Sequence, residues 1–351
     1  MRIRTRPLLV LVAVGLVLAA GCGSGDADGG GGGARAEYAA AQREVRTLGR
    51  DVVAQLDAGD TGPVASRFSP ELAAQFTPAQ LEELVAELRR SGGIGDRTDE
   101  GELVLGPDVR SYTAEHEVGD GRWSFEMVFD AEGTIVGGDI RPVGDPLPPD
   151  PKAGYRTQTR LRFPLEGEWF VFWGGDTERT NYHVVAPAQR HAYDLVVWRD
   201  GGTHRGAGAA NDDYWAWGQR IVAPAAGEVV AAVDGVADSQ PLTGGVNETD
   251  PAGNHVLIDV GHGEYVLLAH FQKGSVAVKA GDRVEAGQLL GLTGSSGNSS
   301  EPHLHVHLQD SPVPLEGVGL PLAFSDLTVD GDAVARAELV QGQFVAADGD
   351  G

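Results

Sequence analysis

The chain has 351 residues, of which 41% are apolar, and this length and composition allow one to three folded domains. Its formal net charge is −24. Such an excess of carboxylates repels nucleic acid and anionic lipid headgroups, which excludes functions that depend on a basic surface. Because Cys22 is the single cysteine, a disulfide within the chain is also excluded.

The N-terminus carries a secretory signal. The basic stretch "MRIRTR" precedes the apolar run "PLLVLVAVGLVLAA", which is too short for a comfortable membrane span. We predict a signal peptide over residues 1–21. The sequence "LAAGC" resembles a bacterial lipobox, with Ala19 where Leu is usual. This resemblance implies lipidation of Cys22 and an extracytoplasmic protein anchored to the membrane by lipid; the alternative is ordinary cleavage with an incidental cysteine.

A glycine-rich tether over residues 22–35 leads into helical sequence. The pattern from residue 36 to about residue 56 indicates a helix. A second helical region, "SPELAAQFTPAQLEELVAELRR", contains Thr77 as a predicted N-cap and Pro78 at the first helical position.

Strand-like runs follow these helices: "ELVLG", "SYTAEHEV", "RWSFEMVFD" and "GTIVGGDIRPV". Helices followed by an antiparallel meander predict a small α+β domain over residues 36–143. The helix pair and "VFDAEGTIVGGDI" resemble an accessory domain of nuclear-transport-factor-like fold, found beside bacterial secreted hydrolases. No residue of this region demands chemistry, so we expect no catalysis there.

The second half of the chain has a different character. Residues 144–159 form a Pro-rich linker. Beyond it, short apolar strands alternate with Gly, Asp and Asn turns, which predicts an all-β antiparallel domain over residues 160–312. Residues 313–351 are assigned as a C-terminal extension. The chain is therefore expected to be multidomain.

Histidines are concentrated in this second half. Histidine is the commonest metal ligand, and a catalytic zinc site takes about three ligands from His, Asp and Glu. Side chains alternate faces along a strand, so His303, His305 and His307 of "PHLHVHL" share one face. Asp194 is a charged residue inside the apolar strand "AYDLVV", where burial is costly without a nearby cation.

These motifs carry a family resemblance. "GLTGSSGNSSEPHLH", the "AHF" strand and "VKAGDRVEAGQLLG" resemble the lysostaphin/LytM-type zinc metallopeptidases, which cut peptide cross-links in bacterial cell walls. The resemblance implies one Zn²⁺ ion and a LytM-like fold. It also implies that His305 and Asp194 bind the metal, whereas His303 and His270 are catalytic.

The sequence leaves two candidates for the third metal ligand. The common family pattern is His-x-x-x-Asp, but Arg190 occupies the position four residues before Asp194. His191 lies three residues before Asp194, and a regular strand would direct the two side chains to opposite faces. The stretch "NYHVVAPAQRHAYDLV" resembles a family variant in which an Asn-x-His segment supplies the ligand. We therefore choose His183, with His191 as the alternative.

The resemblance implies a zinc-dependent endopeptidase that hydrolyses amide bonds in peptidoglycan stem or cross-link peptides. The alternative is an inactive LytM-like wall-binding protein that regulates another hydrolase, because some such domains have lost zinc ligands. His307 stands where the family often has Glu and is either a partner of a ligand or part of the cleft wall.

Overall fold

The computed structural model describes residues 32–106, 109–144, 146–241, 247 and 249–348. The predicted signal peptide, Cys22 and most of the tether lie outside the described residues. Within the described ranges, no helix combines the length and hydropathy that a membrane span requires. The chain divides into two compact units, Ala36–Pro146 and Leu147–Gly351.

The described residues of the N-terminal unit form four helices and one sheet. The helices are α1 (Gly32–Ala58), α2 (Thr61–Ala65), α3 (Pro70–Gln75) and α4 (Pro78–Arg90). The sheet is an antiparallel meander in the order β1 (Ile94–Gly106), β2 (Val109–Val118), β3 (Gly121–Phe129) and β4 (Ile135–Pro142). The expected helices followed by a small sheet are confirmed.

The second helical region is interrupted where it was expected to be capped. Thr77 has extended backbone dihedrals and forms a capping box, in which its side chain accepts from Gln80 N–H while Gln80 Oε1 accepts from Thr77 N–H. Pro78 disfavours a helical residue before it, so α3 ends ahead of this position. The predicted N-cap is confirmed, and the region is two helices.

The C-terminal unit is dominated by one 12-stranded sheet. The strands of this unit are β5 (Leu161–Arg162), β6 (Trp169–Trp173), β7 (Tyr193–Val196), β8 (Arg220–Val222), β9 (Gly227–Val233), β10 (Asn254–Gly261), β11 (Glu264–Phe271), β12 (Arg283–Val284), β13 (Leu289–Leu292), β14 (Leu304–Gln309), β15 (Gly319–Leu320), β16 (Phe324–Val329), β17 (Asp332–Ala337) and β18 (Phe344–Ala347). In spatial order the main path of the large sheet is β12-β9-β10-β11-β14-β7-β6-β18-β16-β17, while β15 pairs with β14 and β5 pairs with β16. A two-stranded sheet, β13-β8, stands apart.

This architecture agrees with the expected β-rich domain, with two differences. The pairing is antiparallel except for β5 with β16, which is parallel. The sheet also continues beyond residue 312: β15 to β18 belong to it, and β18 pairs with β6. Residues assigned as an extension thus contribute strands to the same sheet as the histidines.

The main sheet has an apolar core on one face. Leu304, Val306 and Leu308 of β14 pack there together with Val266 and Leu268 of β11. The residues between them point to the opposite face, as strand geometry requires. The histidines of β14 occupy these alternate positions, so the same pattern that builds the core presents them together.

Candidate metal centre and active site

Two neighbours of β14 bring further side chains to its histidine-bearing face. His305 lies directly opposite Asp194 of β7 on one side and Ala269 of β11 on the other. Directly opposed residues of antiparallel strands share a face, with their Cβ atoms about 4.5–5.5 Å apart. Register alone therefore places the Asp194 carboxylate beside the His305 ring.

His183, Asp194 and His305 form a compact group. Each offers a ligand atom, and these atoms all lie within 4.8 Å of one another. His305 Nδ1 is 2.9 Å from Asp194 Oδ1, and His183 Nε2 is 3.5 Å from Asp194 Oδ2. The three residues are only 3%, 4% and 3% exposed, so water screens this group weakly.

A short 3-10 helix, Tyr182–Val185, delivers His183. Asn181 caps this helix by accepting a hydrogen bond from His183 N–H. The alternative ligand, His191, precedes β7 and lies elsewhere: its Nε2 is 3.0 Å from Asp150 Oδ2. The structure therefore brings His183 to Asp194 and places His191 against the Pro-rich segment.

The electrostatics of the group suit a cation. Burial opposes the charge of Asp194, but the surrounding His183, His303 and His305 outweigh it and hold the pKa of this carboxyl well below its usual range. Burial lowers the pKa of His183 to about 4. One carboxylate and two imidazoles are the donor set of many catalytic zinc sites, so these residues fit such an ion.

His303 and His270 lie beside this group. Their ring centroids are 4.6 Å apart, and the His270 ring is 5.8 Å from that of His305. His303 Nε2 is 3.7 Å from Asp194 Oδ1. The two residues predicted to be catalytic are thus brought to the same place as the three predicted ligands.

Backbone carbonyls orient these two rings. His270 Nδ1 lies 2.7 Å from the Ser296 carbonyl, and His303 Nδ1 lies 2.8 Å from the Glu301 carbonyl. A carbonyl oxygen only accepts, so Nδ1 must donate in each case and the neutral ring keeps its lone pair on Nε2. Burial lowers the pKa of His270 well below its ordinary value, which favours this neutral form. The loop that connects β13 to β14 supplies both carbonyls.

His307 is fully buried and does not belong to the group of three. Its Nδ1 is 2.9 Å from His305 Nε2, and its Nε2 is 2.9 Å from Gln309 Oε1. Burial lowers its pKa to about 3. Of the two roles left open by the sequence, the geometry favours a hydrogen-bonding partner of His305.

Three polar residues near the site were not predicted from the sequence: Asn181, Glu301 and Gln309. Gln309 continues the period of two set by the histidines, and that signal could have identified it. Glu301 shows no such signal; burial raises the pKa of its carboxyl to about 7, and Thr203 donates a hydrogen bond to it.

A cavity of about 160 Å³ opens beside His183, His270 and His305. Tyr182 and Val185 line it, and they are 50% and 62% exposed despite being large and apolar. Exposed apolar side chains beside a polar cluster are common at sites that bind a ligand. The cavity gives an outside molecule access to the histidines.

Comparison with known protein families gives a match to part of this chain. The model of Peptidase family M23 matches residues 212–316, which include His270, His303 and His305. His183 and Asp194 precede the matched segment. The match therefore covers the strands on one side of the site.

Two characterised relatives are similar over short segments. Peptidoglycan DD-endopeptidase ShyA of Vibrio cholerae is 36% identical over 76 residues, covering 21% of this chain and 17% of that protein. DD-carboxypeptidase/endopeptidase Mpg of Neisseria meningitidis is 32% identical over 116 residues, covering 33% of this chain and 25% of that protein. This chain thus spans only a small part of either relative.

Among solved structures, the catalytic domain of the antimicrobial peptidase lysostaphin from Staphylococcus simulans is also similar. It is 21% identical, the superposition covers 41% of this chain and 80% of that domain, and the TM-score is 0.24.

Proposed function

We propose, from the premise that residues 212–316 form a peptidase family M23 domain, that the C-terminal unit is a zinc-dependent endopeptidase acting on peptidoglycan. The observation that carries this proposal is the convergence of His183, Asp194 and His305 within 4.8 Å, in a unit that also holds this domain. The endopeptidase and carboxypeptidase activities of the two relatives suggest amide bonds of wall peptides as the substrate class.

His183 Nε2, an oxygen of Asp194 and His305 Nδ1 would hold the zinc ion. When bound, zinc polarises a carbonyl and acidifies water. His303 and His270 then act through their Nε2 atoms, which are free to accept a proton from the attacking water and to donate it to the developing oxyanion or leaving amine. Their Nδ1–H bonds to backbone carbonyls hold both rings in place for this exchange.

The substrate would enter through the cavity beside the histidines. A wall peptide is flexible and can lie extended, so it can follow the 3-10 helix that borders the cavity. Tyr182 and Val185 would contact its alkyl groups.

The proposal also includes three expectations about the rest of the chain. The N-terminal unit would be an accessory domain, it would have the nuclear-transport-factor-like fold, and Cys22 would carry a lipid anchor. Together these features describe a wall hydrolase tethered to the membrane.

One observation favours a second candidate function. Arg190 stands where the common family pattern has a histidine, and its guanidinium donates to the Pro148 carbonyl instead of facing Asp194. A chain that lacked a metal ligand would bind the wall without cutting it and would act through another hydrolase. His183 compensates for this departure, so the enzymatic function has the stronger support.

Digestion of purified cell walls tests the enzymatic proposal. The intact chain, supplied with zinc, should release cross-link fragments that muropeptide analysis identifies, whereas His305→Ala and the chelated wild type should release none. Equal release by wild type and His305→Ala would overturn the proposal. Wall binding with no release and no bound zinc would support the regulatory candidate.

A further inference from the structure

A buried amide, Gln309, ends the row of histidines on β14. Its Nε2 atom is 2.7 Å from the Ser311 carbonyl and 2.7 Å from the Val313 carbonyl, and its Oε1 atom accepts from Leu315 N–H. Carbonyl oxygens only accept and a backbone N–H only donates, so the orientation of this amide is fixed by its partners. Oε1 is therefore the atom that faces His307.

The fixed amide determines the tautomers of two histidines in turn. Oε1 can only accept, so His307 Nε2 carries a proton. Because this proton occupies Nε2, His307 Nδ1 can accept the hydrogen bond that His305 Nε2–H donates when a metal occupies His305 Nδ1. In the metal-bound protein the proton of His305 is thereby held on Nε2, and Nδ1, 2.9 Å from Asp194 Oδ1, is the nitrogen left for the metal.

Asn181 acts in the same way on His183. Its Nδ2 atom donates to the carbonyls of Gly175 and Ala192, at 3.0 and 3.1 Å. Its Oδ1 atom consequently faces His183 and accepts from Nδ1, at 2.8 Å. The proton of His183 is held on Nδ1, which leaves the lone pair of Nε2 directed at Asp194.

We propose that Asn181 and Gln309 are positioning residues, which select the metal-binding nitrogen of each histidine by anchoring its proton on the other one. Both amides are fully buried and are held by backbone carbonyls, so they do not rotate to follow the ring. A neutral amide sets the tautomer without adding charge beside the cation. This inference rests on the proposed metal site, and it assigns a role to two residues that touch neither metal nor substrate.

Zinc affinity of the intact chain, measured by competition with a chromophoric chelator, tests the roles of the amides. Asn181→Leu and Gln309→Met remove the acceptor and should weaken zinc binding about 10–100-fold, the usual effect of losing an outer partner of a ligand. Unchanged affinity in the Leu and Met variants would overturn the proposal.

Asn254 offers a matched control. It is equally buried, and its side chain also donates to two carbonyls, of Val236 and Phe271, but its Oδ1 accepts from the backbone N–H of Val236 and not from a histidine ring. Asn254→Leu should lower stability while leaving zinc affinity within about threefold of wild type, because no ligand tautomer depends on it. A loss as large as that of Asn181→Leu would show that any lost buried amide disturbs the site.

Ring ¹⁵N spectra of the metal-free wild type test the tautomers directly and do not depend on any variant folding. We expect protons on Nδ1 of His183 and on Nε2 of His307, the two nitrogens that face amide oxygens. His305 Nδ1 faces the Asp194 carboxylate at 2.9 Å, so in the metal-free protein it also carries a proton. A neutral His307 that carries its proton on Nδ1 would overturn the proposed role of Gln309. If the wild type binds no zinc, the proposed function fails, but these spectra still decide whether the amides set the tautomers.

Discussion

At the scale of single residues, His183 and His191 have different partners although both precede Asp194 closely. His183 faces the Asp194 carboxylate from a 3-10 helix, whereas His191 contacts Asp150 in the Pro-rich segment. The first contact lies inside the group of potential ligands, and the second joins two peripheral loops. Only the first should matter for metal binding.

Paired substitutions can separate these roles. His183→Ala should weaken zinc binding by roughly 100-fold or more, since losing even an outer partner of a ligand costs about 10–100-fold. His191→Ala should leave zinc stoichiometry unchanged and cost about 1 kcal/mol of stability through the lost hydrogen bond. Metal analysis after dialysis checks both variants; full zinc in His183→Ala with loss in His191→Ala would reverse the assignment.

The buried histidines also predict how stability depends on pH in the metal-free protein. Burial lowers the pKa of His183 to about 4 and that of His307 to about 3, so the folded chain leaves both neutral where the unfolded chain protonates them. The free energy of unfolding should therefore fall as pH drops from 6.5 towards 4, by about 1.4 kcal/mol per pH unit for each histidine.

Urea denaturation in the presence of a chelator, at several pH values between 6.5 and 4.5, measures this dependence. The depressed pKa of Asp194 acts in the same direction at still lower pH, because protonation of its carboxylate removes stability. In His307→Phe the free energy of unfolding should depend less steeply on pH, because about one proton fewer is taken up on unfolding. A stability that stays constant over this range would contradict the burial of neutral rings.

At the scale of elements, a bulge at the end of β11 decides where His270 points. Alternation from Val266 and Leu268 would direct His270 into the apolar core. The pairing between β10 and β11 is irregular between Asn254 and Val256, and His270 has a φ of 63°, in the left-handed region. The bulge turns its ring to the opposite face, beside His303.

Two substitutions that both remove the ring measure this backbone conformation. A Cβ atom in the left-handed region costs roughly 1–2 kcal/mol, which glycine avoids. His270→Gly should therefore be more stable than His270→Ala by about 1 kcal/mol, the reverse of the order in an ordinary strand. Urea denaturation of the metal-free variants gives the difference; an Ala variant of equal or greater stability would argue against the bulge.

Some features of these elements could be predicted from the sequence, and others could not. Alternation correctly predicts that His303, His305 and His307 share a face, because it needs only the period of a strand. It assigns His270 to the wrong face, since a bulge leaves no local pattern, and only the family resemblance singled this residue out. The roles of Asn181 and Gln309 depend on the positions of carbonyls that lie outside any motif.

At the scale of the whole molecule, Glu264 fastens the Pro-rich segment to the C-terminal unit. The carboxylate is fully buried and accepts from Tyr155 O–H and from the backbone N–H groups of Gln158 and Thr159. Burial alone would raise the pKa of Glu264, but these hydrogen bonds outweigh it and lower the pKa. The segment is thus part of the folded unit up to the start of β5.

Glu264→Gln should destabilise the C-terminal unit by about 1–3 kcal/mol, because an amide N–H₂ would face donors that it cannot satisfy. The substitution should also make the segment before residue 160 more sensitive to limited proteolysis. Glu228→Gln is a suitable control, since that half-exposed carboxylate pairs with Arg283 on the surface and its loss should cost less than about 1 kcal/mol. Equal effects of the two variants would contradict the role of Glu264 in holding the Pro-rich segment.

The pairing of β18 with β6 has a consequence for the order of folding. β6 lies beside β7, the strand that carries Asp194, and Phe170 of β6 pairs with Phe344 of β18. Contacts so distant in sequence form slowly, and here they form only after residue 347 has left the ribosome. Until then β6 keeps an unpaired edge, and the sheet that aligns the candidate ligands is incomplete. A nascent chain therefore carries every histidine of the site before the sheet that contains them is complete.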